Sequence, residues 1–138
     1  MEKILKVWFD DHRIYILTDG GSTLSRPLEA FPTLKDASEA ERNAFRIGRF
    51  GDDIRWEALD EDVHISSFYE STEPDGDNEV ARLFQMFPQL NVSEMARYMG
   101  INKSLLAKYI YGIKKPSAER LAQIKMAFHS IGTQLIAV

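Results

Sequence analysis

The stretch from Asn91 to Pro116, NVSEMARYMGINKSLLAKYIYGIKKP, decides the reading of this chain. It has the pattern of two short helices joined by a tight turn. Ser93 can cap the first helix, because its hydroxyl accepts from a backbone N–H that has no partner inside the helix. Glu94 favours that positive end. Ala96 is small where two helices must cross closely. Gly100 can take the left-handed conformation that ends a helix. Asn102 can cap the second helix, Leu106 and Tyr109 face inward, and Gly112 ends it. A helix-turn-helix of this kind sets its second helix in the DNA major groove.

The exposed side of that second helix carries the candidate contacts. A helix N-terminus presents N–H groups and the positive end of a dipole to phosphates. Asn102, Lys103 and Ser104 stand there, within reach of base edges or backbone. Ala107 and Lys108 share that side one turn further on, and Tyr111 lies a turn beyond. Lys114 and Lys115 follow in the loop, placed to hold phosphate. Arg97 on the first helix is a lesser candidate.

Working outward, Asn78 to Phe87 has Val80, Leu83, Phe84 and Phe87 on one helical face, with Asn78 as cap. Met95, Ala96 and Met99 face inward from the helix after it. Ser117 to Phe128 reads as a fourth helix, capped by Ser117, with Leu121, Ile124 and Phe128 inward. Ile131 to Ile136 finishes the core as a helix extension or a strand.

The charge distribution supports a division of the chain. Residues 1–75 hold 9 Lys+Arg against 17 Asp+Glu, a net −8, and residues 76–138 hold 8 against 4, a net +4. From Asn91 onward the balance is 7 against 2, or +5. Phosphate binding needs local positive charge, so the overall −4 does not argue against nucleic acid. Ser71 to Asn78, STEPDGDN, has no apolar residue and reads as a linker. The reading is an α+β domain over 1–70, a linker over 71–78 and an all-α domain over 79–138.

In the acidic half, Ile4 to Phe9 and Arg13 to Thr18 are rich in β-branched and aromatic residues and read as strands. Asp19-Gly20-Gly21 is a hairpin turn and Ser22 to Leu28 a third strand, which completes a meander. Thr33 to Phe45 is helical in whole or part. Phe45 to Arg49 and Ile54 to Ala58 are short strands, Asp60-Glu61-Asp62 is a turn, and Val63 to Phe68 is a last strand or a single helical turn. Trp8 and Trp56 are expected to support the core and Phe9, Tyr15, Phe31, Phe50 and Phe68 to complete it, unless some face a partner.

Catalytic chemistry is thin. Asp52, Asp53, Glu57, Asp60, Glu61 and Asp62 cluster with His64, but without metal-loop spacing, and read as solvated turn residues. His12 and His129 have no triad partners. No nucleophile, phosphate-loop or metal motif stands out, so we expect neither an enzyme nor a cofactor. With 44% hydrophobic and 28% charged residues the composition is that of a soluble globular protein. No cysteine is present. The apolar run near the start is too short for a signal peptide, and nothing approaches the ~20 apolar residues of a membrane helix. The expected location is the cytoplasm.

Two resemblances add to this. Lys3 to Tyr69, with its early hairpin around DGG, short mid-helix and closing IRWEALDEDVHISSF, resembles a small bacterial family numbered 2442 among domains of unknown function. There a Trp and an Asp, here Trp56 and Asp60, precede a final apolar turn. The likeness implies a small α+β fold, and because some members look like parts of toxin–antitoxin pairs it implies a protein-binding role. Val80 to Leu135, above all GINKSLL and GIKKPS, resembles lambda-repressor-like (Cro/Xre) helix-turn-helix domains, close to the C-terminal domain of HicB-like antitoxins. That likeness implies DNA contacts at Asn102, Lys103, Ser104, Ala107 and Lys108. The chain departs from it at Leu105 and Ile110, apolar where many repressors are polar, and at Val92, where a phosphate-contacting Gln is common.

The expected function is that of a DNA-binding regulator, autoregulatory or antitoxin-like. It would bind double-stranded DNA as a homodimer, with half-sites about 34 Å apart. Its N-terminal domain would dimerise or hold a partner protein, toxin-like in the antitoxin form. The alternative is an interaction adaptor that keeps the fold without binding DNA.

Overall fold

The computed structural model describes residues 2–138 and is mixed α and β. Two compact units form, one ending at Glu73 and one starting at Pro74.

The first unit is built on two three-stranded antiparallel sheets. One is the meander of β1 (Ile4–Phe9), β2 (Arg13–Thr18) and β3 (Thr23–Pro27). Strand β2 alternates strictly, with Ile14, Ile16 and Thr18 buried and Arg13, Tyr15 and Leu17 on the other face. Val7 and Phe9 lie opposite Ile16 and Ile14, which fixes the register by burial. The second sheet joins β4 (Arg46–Ile47), β5 (Asp53–Trp56) and β6 (Glu61–His64).

Between the sheets in sequence lie α1 (Pro32–Asp36) and α2 (Glu39–Asn43). Ser38 caps α2 reciprocally with Glu41, each side chain accepting from the other's backbone. Trp56 is fully buried and its indole N–H donates to the Arg42 carbonyl at 2.8 Å. The Arg42 guanidinium in turn donates to the carbonyls of Leu34 and Lys35 at 2.6 Å each. One aromatic ring therefore ties sheet, α2 and α1 together.

Three expectations are corrected here. The second hairpin turns at Glu57 to Asp60, not at 60–62, because Asp60 takes the left-handed backbone (φ 49°) and Glu61 already pairs with Trp56. Val63 to Phe68 is divided: the strand ends at His64, and Ile65–Tyr69 is a 3-10 helix that His64 caps. Phe50 is not core. It is 70% exposed in the turn before β5, beside the Arg49 guanidinium.

The second unit is wholly helical: α3 (Glu79–Met86), α4 (Val92–Met99), α5 (Lys103–Tyr111) and α6 (Ala118–Ile136). Val80, Phe84, Met95, Ala96, Leu106, Tyr109, Ile124 and Ala127 form its core. Asn78 and Ser117 cap α3 and α6, accepting from the amides of Ala81 and Arg120. The segment Ile131–Ile136 is the last third of α6. Among the described residues no helix is long and apolar enough to cross a membrane.

Candidate nucleic-acid interface

Helices α4 and α5 pack on each other, α5 also on α3, and α4 on α6. The C-terminal ends of α4 and α5 are closed in the same way. Gly100 and Gly112 both take the left-handed conformation, φ 71° and 76°. The amide of Ile101 then returns to the Ala96 carbonyl, and that of Ile113 to the Lys108 carbonyl, each at 3.0 Å. Carbonyls that a helix end leaves unpaired are satisfied by these returns.

Asn102 caps α5, its side-chain oxygen accepting from the Ser104 amide at 2.7 Å. At the start of α4 the expected cap is corrected. Asn91, not Ser93, accepts from the Glu94 amide at 3.0 Å, and the helix begins at Val92. Asn91 has the extended backbone a cap needs (φ −81°, ψ 127°), whereas Ser93 is already inside the first turn. Ala96 is buried at the α4 crossing, as its size suggests.

The site residues run along α5 and into the loop after it. Asn102 and Lys103 are exposed, Ser104, Lys108 and Tyr111 are half-buried, and Lys114 and Lys115 are exposed. Ala107 is buried, which corrects its placement on the exposed side. It lies beside Leu106 at the start of the inward arc that continues to Tyr109, so the accessible strip of α5 is narrower than the sequence spacing suggests. The three apolar departures from the repressor pattern lie on the inner side: Val92, Leu105 and Ile110 all pack against the helical core. They therefore take nothing from the accessible strip. Arg97 is exposed and sits 3.5 Å from Glu94, a solvated pair of small energy.

The C-terminal end of α5 has a feature that composition did not disclose. The Asp75 amide donates to the Tyr111 carbonyl at 2.8 Å. Asn78 donates through its side-chain amide to the carbonyls of Asp75 and Ile110, at 2.8 and 3.1 Å. The second half of the stretch 71–78, which reads as a linker, is thus hydrogen-bonded to the end of α5. On the other side of Pro74, Glu73 accepts from Arg13 at 2.6 Å, and the carbonyls of Glu70 and Thr72 accept from Arg26. Arg26 is 1% exposed, and its Nε and other terminal nitrogen have no protein acceptor. Burial lowers its pKa from the ordinary value. Strand alternation was the available signal: Leu24, Arg26 and Leu28 share one parity, the inward one.

Trp8 and Tyr15, expected in the core, instead lie on the outer face of the first sheet, stacked at 5.6 Å with the Lys6 ammonium 5.3 Å from the Trp8 ring. Among the described residues no group of His, Asp and Glu is arranged to hold a metal. His64 lies 3.5 Å from Asp52, and Arg55 bridges Glu57, Asp60 and Asp62, so the carboxylates of the second hairpin serve its own turn.

No curated protein matches the chain. A crystal structure from Nitrosomonas europaea, provisionally described as a DNA-binding protein, aligns over 90% of this chain and 84% of its own at 12% identity, with a TM-score of 0.38. Likeness at that level leaves fold and function to be argued from the residues. A family model described as a protein of unknown function (DUF2442) matches residues 4–73, more than half of the chain, and the chain belongs to that family.

Proposed function

We propose that the helical unit binds double-stranded DNA as a lambda-repressor-like helix-turn-helix, with α5 entering the major groove, and that the protein is a dimeric regulator, autoregulatory or antitoxin-like. The observation that carries this is the α4–α5 corner. Two short helices are joined through a left-handed glycine and an Asn cap, and the accessible strip of the second begins with Asn102 and Lys103 and leads to Lys114 and Lys115. Local charge agrees, at +5 from Asn91 onward. Backbone amides at the start of α5 and the flanking lysines would neutralise phosphates, while Asn102, Lys103 and Ser104 would meet base edges. The acidic first unit would repel DNA and is the part suited to a protein partner, toxin-like in the antitoxin form.

Buried Ala107 favours a second reading, in which the narrow strip of α5 meets a protein instead of a groove. Fluorescence anisotropy with a labelled random duplex at low salt separates the two. Binding that weakens steeply with added salt supports the DNA reading, and no binding at 20 µM protein removes it.

A further inference from the structure

The end of α5 is closed from two directions. A helix leaves its last four carbonyls without partners of its own. In α5 these belong to Lys108, Tyr109, Ile110 and Tyr111. The first two are met by the chain that follows. The amides of Ile113 and Lys114 donate to the Lys108 carbonyl at 3.0 and 3.3 Å, and that of Gly112 donates to Tyr109 at 3.2 Å. The last two are met by residues that precede α3. The Asn78 side-chain amide donates to the Ile110 carbonyl at 3.1 Å, and the Asp75 backbone amide donates to that of Tyr111 at 2.8 Å.

Asn78 uses its whole side chain here. Its oxygen accepts from the Ala81 amide at 2.9 Å and caps α3, while its nitrogen donates to Ile110 and, at 2.8 Å, to the Asp75 carbonyl. Ser or Asp would cap α3 about as well. Among the common caps only Asn adds two amide hydrogens to the acceptor, so this position asks for more than a cap. The Asp75 carbonyl that Asn78 holds fills the space beside Gly112, where the loop after α5 begins. Asp75, Asn78, Gly112, Lys114 and Lys115 line one cleft of about 370 Å³, and both lysines are exposed.

We infer that Asn78 is a positioning residue for phosphate binding. By tying Asp75 to the end of α5 it fixes where the loop over 112–116 leaves the helix, and so where Lys114 and Lys115 present their ammonium groups. The inference deepens the proposed function and rests on it for the ligand, duplex DNA. A lysine is a point charge on a flexible stem, so its backbone must be placed if it is to meet one phosphate. Gly112 alone does not place it, because glycine leaves the direction of the chain free. The contacts of Asn78 and Asp75 supply that limit from outside the loop.

Asn78→Ser tests this, since it keeps a cap for α3 and removes both donations. The full-length wild type, Asn78→Ser, Lys114→Ala/Lys115→Ala and the triple variant are compared for affinity to a labelled random duplex across a salt series, and for amide exchange by NMR. Asn78→Ser is expected to bind about three- to tenfold more weakly at low salt, with a slope shallower by up to about 1.8, or about 0.9 for each of two phosphates. The triple variant should bind no more weakly than the double. Exchange at the Ile113 and Lys114 amides should quicken roughly fivefold or more, while the Ala81 amide stays protected by the Ser cap. Wild-type affinity and slope in Asn78→Ser, or losses that multiply in the triple variant, overturn the inference. Unchanged exchange at Ile113 and Lys114 overturns it whether or not DNA binds. If the wild type ignores duplex DNA but exchange quickens as expected, the DNA reading fails while the hold of Asn78 on the loop is upheld.

Discussion

The backbone of Asp75 lies directly against Gly112. Its amide donates to the Tyr111 carbonyl, and its own carbonyl occupies the space that a side chain at 112 would need. Gly112 is thus fixed twice, by its left-handed φ of 76° and by this close approach, whereas Gly100 (φ 71°) has open space above it. Gly100→Ala should cost about 1 kcal/mol, the left-handed penalty alone. Gly112→Ala should cost roughly 2–4 kcal/mol, because overpacking adds to it. Urea melts of the two variants check the ranking. Equal losses would mean that Asp75 does not rest on the end of α5.

The caps of α4 give a second comparison. Asn91→Ala removes the acceptor for the Glu94 amide and should cost about 1 kcal/mol. Ser93→Ala should stay within about 0.5 kcal/mol of wild type, as substitutions away from such features do. Thermal melts that reverse this order would restore Ser93 as the cap.

The ion pair of Arg13 with Glu73 predicts a pH dependence. The hydrogen bond from Arg13 holds the Glu73 carboxyl below its ordinary 4.5. A carboxylate with a lowered folded pKa adds stability that is complete above the unfolded value and lost as pH falls through the folded one. The stability gap between wild type and Glu73→Gln should therefore be full above about pH 4.5 and close below it. Glu73 is 54% exposed, so the gap at pH 7 should not exceed about 1 kcal/mol. Chemical denaturation of both proteins from pH 7 to pH 3 measures it, and a gap that widens on acidification would contradict the assignment.

Arg26 predicts a separation of global from local stability. A buried guanidinium with two unpaired nitrogens is a weak contributor to folding, so Arg26→Met should change global stability by no more than about 1 kcal/mol. It removes the donor to the carbonyls of Glu70 and Thr72, so limited proteolysis near residues 70–73 should quicken several-fold. An unchanged cleavage pattern would mean that Arg26 does not secure that segment.

Much of this was readable along the chain, and the exceptions share a cause. The strands β1 and β2 were legible because alternation and β-branched residues agree. Asn78, Asn102, Ser117, Gly100 and Gly112 were legible because caps and left-handed turns restrict residue type. Where two residues could serve, local sequence did not choose. Asn91 and Ser93 are both good caps, and the half-buried position of Val92 against the core decides between them. Asp60 and its neighbours are all turn formers, and the strand pairing of Glu61 with Trp56 decides there. Buried Ala107 depends on how α5 is rotated against its neighbours, which spacing along one helix leaves open. The hold on Asp75 links residues far apart in sequence and has no local signal. The inward Arg26 was available from strand parity, against the usual expectation that arginine faces water.

The proposed DNA binding requires α5 and the loop after it to meet phosphates. The direct measurement is duplex-DNA affinity across a salt series for wild type and for Lys103→Ala/Lys108→Ala. Log affinity is expected to fall linearly with log salt, with a slope shallower in the variant by about 0.9 for each phosphate that the removed ammonium groups neutralise. Binding that is absent at low salt, or that is insensitive to salt and unchanged in the variant, would contradict it.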